Sequence, residues 1–76
     1  MKFHTFYNKL ATHLPKGKGY KTNLYGIWEH WEPVGLCEEF IFSFKQGRKL
    51  GLDYISSVDH AYLEWDLDPY SESLLS

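Results

Sequence analysis

The side chains best equipped for chemistry are four histidines, one cysteine and a set of carboxylates gathered toward the C-terminal end. His4, His13, His30 and His60 could in principle pair as general acid and base, as in small ribonucleases. Their placement argues against it. His4 and His13 would fall on different faces of one helix, and nothing in the chain order brings His30 to His60. Cys37 has no C-x-x-C partner and no two histidines stand at ligand spacing, so no zinc site is implied. Asp66-x-Asp68 lacks the remaining ligands of a calcium loop. The expectation is a protein without catalytic residues, metal or cofactor, with a small hydrolase or nuclease as the third alternative.

Binding chemistry is better represented. In Trp28-Glu29-His30-Trp31-Glu32 a strand would send Trp28 and Trp31 to opposite faces, leaving one ring exposed as a binding anchor. Otherwise the strand ends near His30 and Trp31 folds back over the core edge. Ile41, Ile55 and Tyr62 fall among Asp53, Glu64, Asp66 and Asp68 on what reads as the outer face of a sheet. Apolar groups ringed by acids suit a larger partner with a basic surface and imitate the phosphates of DNA. The alternative is an ordinary solvated face. The loop Lys16-Gly17-Lys18-Gly19-Tyr20-Lys21 offers lysines, small residues and, with Tyr25, rings for stacking on bases. It lacks the Walker spacing, and a plain flexible connector reads as well. Nucleic-acid binding through Lys16, Lys18, Tyr20 and Lys21 is thus the second choice, behind protein binding.

The elements that must hold these residues follow from periodicity. Phe3, Phe6, Tyr7, Leu10 and Leu14 recur at helical spacing, with Thr5 as a candidate cap and Pro15 as the stop. Leu24 to Trp31 reads as a strand and Glu32-Pro33-Val34-Gly35 as a turn. Phe40, Phe42 and Phe44 alternate with Ile41, Ser43 and Lys45. A three-residue loop, Gln46-Gly47-Arg48, would pair Phe44 with Leu50 and Phe42 with Leu52 on one apolar face. Ala61, Leu63, Trp65 and Leu67 alternate with Tyr62, Glu64, Asp66 and Asp68. A helical alternative from Ser57, with Val58, Ala61, Tyr62 and Trp65 on one face, is also open. The predicted fold is α+β in two layers: one N-terminal helix packed on a four-stranded antiparallel sheet, in the order α-β-β-β-β.

At 76 residues the chain is one domain (1–76). A chain this short buries roughly 60–65% of its unfolded surface, so its stability margin is thin. With a single cysteine it gains no intrachain disulfide, and five Phe, six Tyr and three Trp must carry the core. The lone thiol suits a reducing compartment. No secretory signal or membrane span is legible, and a cytoplasmic setting is expected. Charge is polarised. Residues 1–25 hold five lysines and no acid, whereas residues 50–76 hold six acids and no Lys or Arg. Opposed patches imply separate partners or self-association. In size, aromatic richness and acidic polarity the chain resembles small inhibitors and immunity proteins carried by phages and plasmids, a likeness of composition without a shared motif.

Overall fold

The computed structural model describes residues 1–17 and 19–65. Helix α1 (Phe3–Leu10) runs into a 3-10 turn (Ala11–His13) and is followed by α2 (Tyr20–Trp31), α3 (Cys37–Lys49) and α4 (Tyr54–Trp65). Among the described residues there is no strand. The α+β expectation is therefore overturned: where a helix on a four-stranded antiparallel sheet was predicted, the fold is all-helical.

Helix α3 shows why alternation misleads. Phe40, Phe42 and Phe44 span five residues, too few to separate a period of 2.0 from one of 3.6. The buried set is Cys37, Phe40, Ile41, Ser43, Phe44 and Gly47, spaced i, i+3, i+4, i+6, i+7 and i+10 on one side of a helix. Phe42 points away and is 65% exposed. Adjacent Phe40 and Ile41 are both buried, which one face of a strand does not permit. Charges reinforce the helix: Glu38 and Glu39 sit in its first turn and Arg48 and Lys49 in its last, complementing the backbone dipole.

The other expected strands yield to the same period. In α2, Leu24, Ile27 and Trp31 are buried at i, i+3 and i+7. In α4, Tyr54, Ser57 and Ala61 are buried, with Val58 and Tyr62 packed beside them. This is the helical alternative for that segment, begun three residues earlier than Ser57. The remainder of the expected last strand, 66–68, lies outside the described residues. Helix α1 forms where a helix was expected but ends at Leu10 rather than at Pro15, giving way to the 3-10 turn; Lys2 occupies the cap position and no side chain caps the helix, so Thr5 does not play that part.

The two sharp reversals are built alike. After α2, the Leu36 amide donates to Trp31 O and the Gly35 amide to Glu32 O. After α3, the Leu52 amide donates to Gly47 O and the Gly51 amide to Arg48 O. Both are 6→1 and 5→2 pairs that satisfy the last helical carbonyls. Each needs a left-handed residue, and glycine supplies it, at φ 72 for Gly35 and φ 92 for Gly51. The expected hairpin turn at Gln46-Gly47-Arg48 is instead the last turn of α3.

Helices α3 and α4 make the most intimate pairing. A Cβ on Gly47 would meet Ser57 Oγ at 3.0 Å and Ser57 Cα at 3.2 Å, so the bare glycine sets their approach. Farther along, Trp65 Nε1 donates to the buried Ser43 Oγ at 3.1 Å. Rings then link the helices into one core. Phe40 contacts Phe6, Trp31 and Phe44 with centroids 5.5, 5.0 and 5.9 Å apart. Phe44 leads on to Tyr54, and Tyr54 to Tyr20. Such pairs add to the area each ring buries, which is how a short chain without a disulfide holds together. No described helix is long and apolar enough to cross a membrane.

Candidate functional site

A concavity lies where the loop before α2, the start of α2, the end of α3 and the start of α4 meet. It is a cleft of about 660 Å³, within the range of ligand-sized sites. Its walls are Pro15, the Tyr20 and Tyr54 rings, Ile55 and Val58, and its polar groups are Asn23, Arg48, Asp53 and Asp59. The Tyr20 and Tyr54 rings pack with centroids 4.6 Å apart. The Tyr54 hydroxyl donates to Asn23 Oδ1, tying α4 to α2 across the cleft floor. Burial, with the nearby Tyr20 and Tyr62, pushes the Tyr54 phenol up to about 12, so it stays protonated as a donor at neutral pH.

The charged groups of the cleft differ in freedom. Arg48 is committed: its Nε donates to His13 O at 2.8 Å and one terminal nitrogen to Leu52 O at 3.0 Å. Asp53 caps α4, accepting the Ser56 amide at 2.8 Å, the standard role of Asp before a helix. That amide bond, chiefly, holds its carboxyl below the usual range. Asp59 is exposed and joins none of the ion pairs found among the described residues. It stands one turn after Ile55 and one turn before Leu63, and both of those are 69% exposed. Ile55, Asp59 and Leu63 thus form an outward stripe on α4, continuous with the cleft through Ile55 and Asp59.

The residues singled out from the sequence are dispersed by this fold. Trp31 is fully buried in the core, edge-on to Phe40 and Tyr62, and is no surface anchor. Trp28 is half-buried, its indole N–H donating to Met1 O at 2.8 Å and its ring packed on Phe3 and Tyr25. Ile41 is buried rather than outward. Tyr62 stacks on His30. Glu64 lies 3.2 Å from His60 Nε2, within ion-pair range but out of hydrogen-bond alignment. Asp53 serves as a cap. Asp66 and Asp68 lie outside the described residues; of the remaining acids Asp53 caps α4 and Glu64 lies on it, and no sheet among the described residues gathers them on a face.

Of the basic-loop candidates, Lys16, Tyr20 and Lys21 are described. Tyr20 is occupied by Tyr54, and Lys21 Nζ sits 5.7 Å over the Tyr7 ring. Lys16 is exposed, and Lys18 lies outside the described residues. Among the nucleophile and acid–base candidates, burial first and then Glu32 push the Cys37 thiol up to about 11, which makes it a poor thiolate. His4, His13, His30 and His60 sit on four different elements. No group of three His, Cys, Asp or Glu that could hold a metal occurs among the described residues.

Asp59, Val58, Asn23 and Arg48 were missed as site residues. For Asp59 the signal existed: apolar Ile55 and Leu63 lie four residues to either side, a spacing that puts all three on one face of a helix. No protein-family model matches the chain, and no curated protein or solved structure matches it significantly.

Proposed function

We propose that this chain is a small non-enzymatic protein-binding domain that engages a basic surface of a larger protein through the α4 stripe and the adjoining cleft. The carrying observation is the continuity of Ile55, Asp59 and Leu63 with a cleft walled by Tyr20, Tyr54 and Val58. Two exposed aliphatic side chains two helical turns apart are the usual footing for a partner, and a carboxylate between them selects for a cation. Helix α4 carries no Lys or Arg, so nothing on it repels a basic partner. A lysine or arginine of the partner entering the cleft would find Asp59 at the rim and two tyrosine rings inside, a contact favourable by about 0.5–1 kcal/mol at an exposed site. Such chemistry suits an inhibitor or immunity-type protein that blocks a nucleic-acid-handling protein at its basic surface. A reducing, cytoplasmic setting accords with the single buried thiol, Cys37.

The test is comparative capture from nuclease-treated lysate of the source cells, using the wild-type chain, Asp59→Lys and Ile55→Ser. These positions are exposed, so both variants should melt like the wild type. The expected result is one dominant protein held by the wild type and depleted about tenfold or more by each substitution, the equivalent of about 1.4 kcal/mol. Equal recovery by all three, or recovery lost on nuclease treatment, would overturn the proposal.

A further inference from the structure

A second, smaller cleft of about 220 Å³ is lined by Thr12, His13, Leu14, Arg48 and Lys49. It sits between the 3-10 turn and the last turn of α3. Arg48 is fixed beside it by its bonds to His13 O and Leu52 O. The guanidinium's position is therefore set before any ligand arrives, which lowers the ordering cost of binding. Lys45 lies one turn before Lys49 on the same helix. Its field, with those of Lys49 and Arg48, reaches the His13 ring: burial first, then these three cations, draw the imidazole below its ordinary value.

Basic residues at a helix C-terminus often serve only the helix dipole. Here the terminal carbonyls are already satisfied, since Gln46 O, Gly47 O and Arg48 O accept the amides of Leu50, Leu52 and Gly51. No carboxylate among the described residues lines the cleft, although Arg48 also helps to hold the Asp53 carboxyl down. Among the described residues the cation–carboxylate pairs are those of the N-terminus with Glu32, Lys9 with Glu38 and His60 with Glu64. Lys45, Arg48 and Lys49 are in none of them. In a chain of net charge −2, two cations, Arg48 and Lys49, and a histidine from two elements thus border one concavity that no described carboxylate lines, with Lys45 one turn away on α3.

We propose that this cleft binds a phosphate group, with Lys49 and the free N–H groups of Arg48 as donors, Lys45 as a flanking charge and His13 as a donor once protonated. A dianion matches several clustered cations, and the planar guanidinium suits its paired oxygens. This site shares Arg48 with the wall of the larger cleft but includes neither Ile55 nor Asp59, so the variants that test protein binding leave it intact and the two readings fail separately. The phosphate can belong to a small phosphorylated molecule or to a nucleic-acid backbone, and the two sources behave differently.

The experiment is an NMR titration of the full chain with inorganic phosphate at constant ionic strength, with chloride and acetate as controls, beside anisotropy of a labelled oligothymidylate. Saturable shifts are expected at His13, Arg48 and Lys49, with phosphate alone. The His13 pKa should rise on binding, because a bound anion favours the imidazolium against Lys45, Arg48 and Lys49, the charged groups that face it. Lys45→Gln/Lys49→Gln should weaken binding about tenfold or more with an unchanged melting profile. Oligothymidylate binding that is tighter, salt-steep and lost in the same variant assigns the phosphate to a nucleic-acid backbone. Inorganic phosphate binding without oligothymidylate binding assigns it to a small molecule. Absence of saturation with both probes, or binding indifferent to the double substitution, overturns the proposal.

Discussion

Replacing Gly47 by alanine sets helix propensity against packing, and the structure decides the sign. In a helix interior alanine is favoured over glycine by about 1 kcal/mol. At Gly47 the added Cβ would stand 3.0 Å from Ser57 Oγ and 3.2 Å from Ser57 Cα and Cβ. The hydroxyl can rotate away, but the Cα yields only if α4 moves. Overpacking of this kind costs roughly 1–3 kcal/mol, so Gly47→Ala should be neutral at best and destabilising by up to about 2 kcal/mol. Gly26 is the internal control. It lies in the middle of α2, and a Cβ there would meet nothing within 4 Å, so Gly26→Ala should stabilise by about 0.5–1 kcal/mol. Urea titration of both variants measures the contrast. The midpoint should rise for Gly26→Ala and stay or fall for Gly47→Ala, at an unchanged slope. If the two substitutions stabilise equally, the Gly47–Ser57 contact is not as close as described and the account of the α3–α4 pairing is wrong.

Two further outcomes concern pH. Tyr54 ionises near 10 in the unfolded chain and at about 12 in the fold; the native state keeps a proton that the unfolded chain releases. Its contribution is fully present below the lower value and lost as pH rises through the higher one, with a ceiling of roughly 2–3 kcal/mol. Urea titrations across that interval should show a slope that flattens in Tyr54→Phe; a slope unchanged by the substitution would contradict the burial of this phenol. At the acid end, Asp53 has its carboxyl held below the ordinary 3.8, chiefly by the Ser56 amide. That contribution is present above the ordinary value and lost as pH falls through the folded one. Asp53→Asn, which still caps, should keep most of the neutral-pH midpoint yet soften the acid limb, whereas Asp53→Ala should lower the midpoint at both.

Helix α1 and one turn could be read from residue types alone; the other helices were read as strands, and those failures have a common cause. Helix α1 was legible because its apolar spacing runs over a dozen residues and ends at Pro15. The turn at Glu32 to Gly35 was legible from its proline and glycine. Helix α3 was not, because Phe-x-Phe-x-Phe satisfies a strand over five residues while Cys37 and Gly47 carry the helical period outside that window. The misread period then carried into the site. A strand sends alternate residues outward, which exposed Ile41 and gathered Asp53 and Glu64 on one face; a helix buries Ile41, makes Asp53 a cap and pairs Glu64 with His60.

What the sequence determined by itself was the inventory: an aromatic core in place of disulfides, a lysine-rich beginning, an acidic end, and glycines and prolines that punctuate the helices. Those follow from composition and local chemistry. Only the tertiary structure decided which charges meet. Lys45, Arg48 and Lys49 come from the nearly neutral middle of the chain, and they converge on His13 because α3 ends against the 3-10 turn. Asp59 joins Tyr20 in one cleft because Gly47 lets α4 lie close on α3 and the Tyr54 hydroxyl ties α4 to Asn23. Such neighbours are more than thirty residues apart in the chain, and local periodicity carries no information about contacts made at that separation.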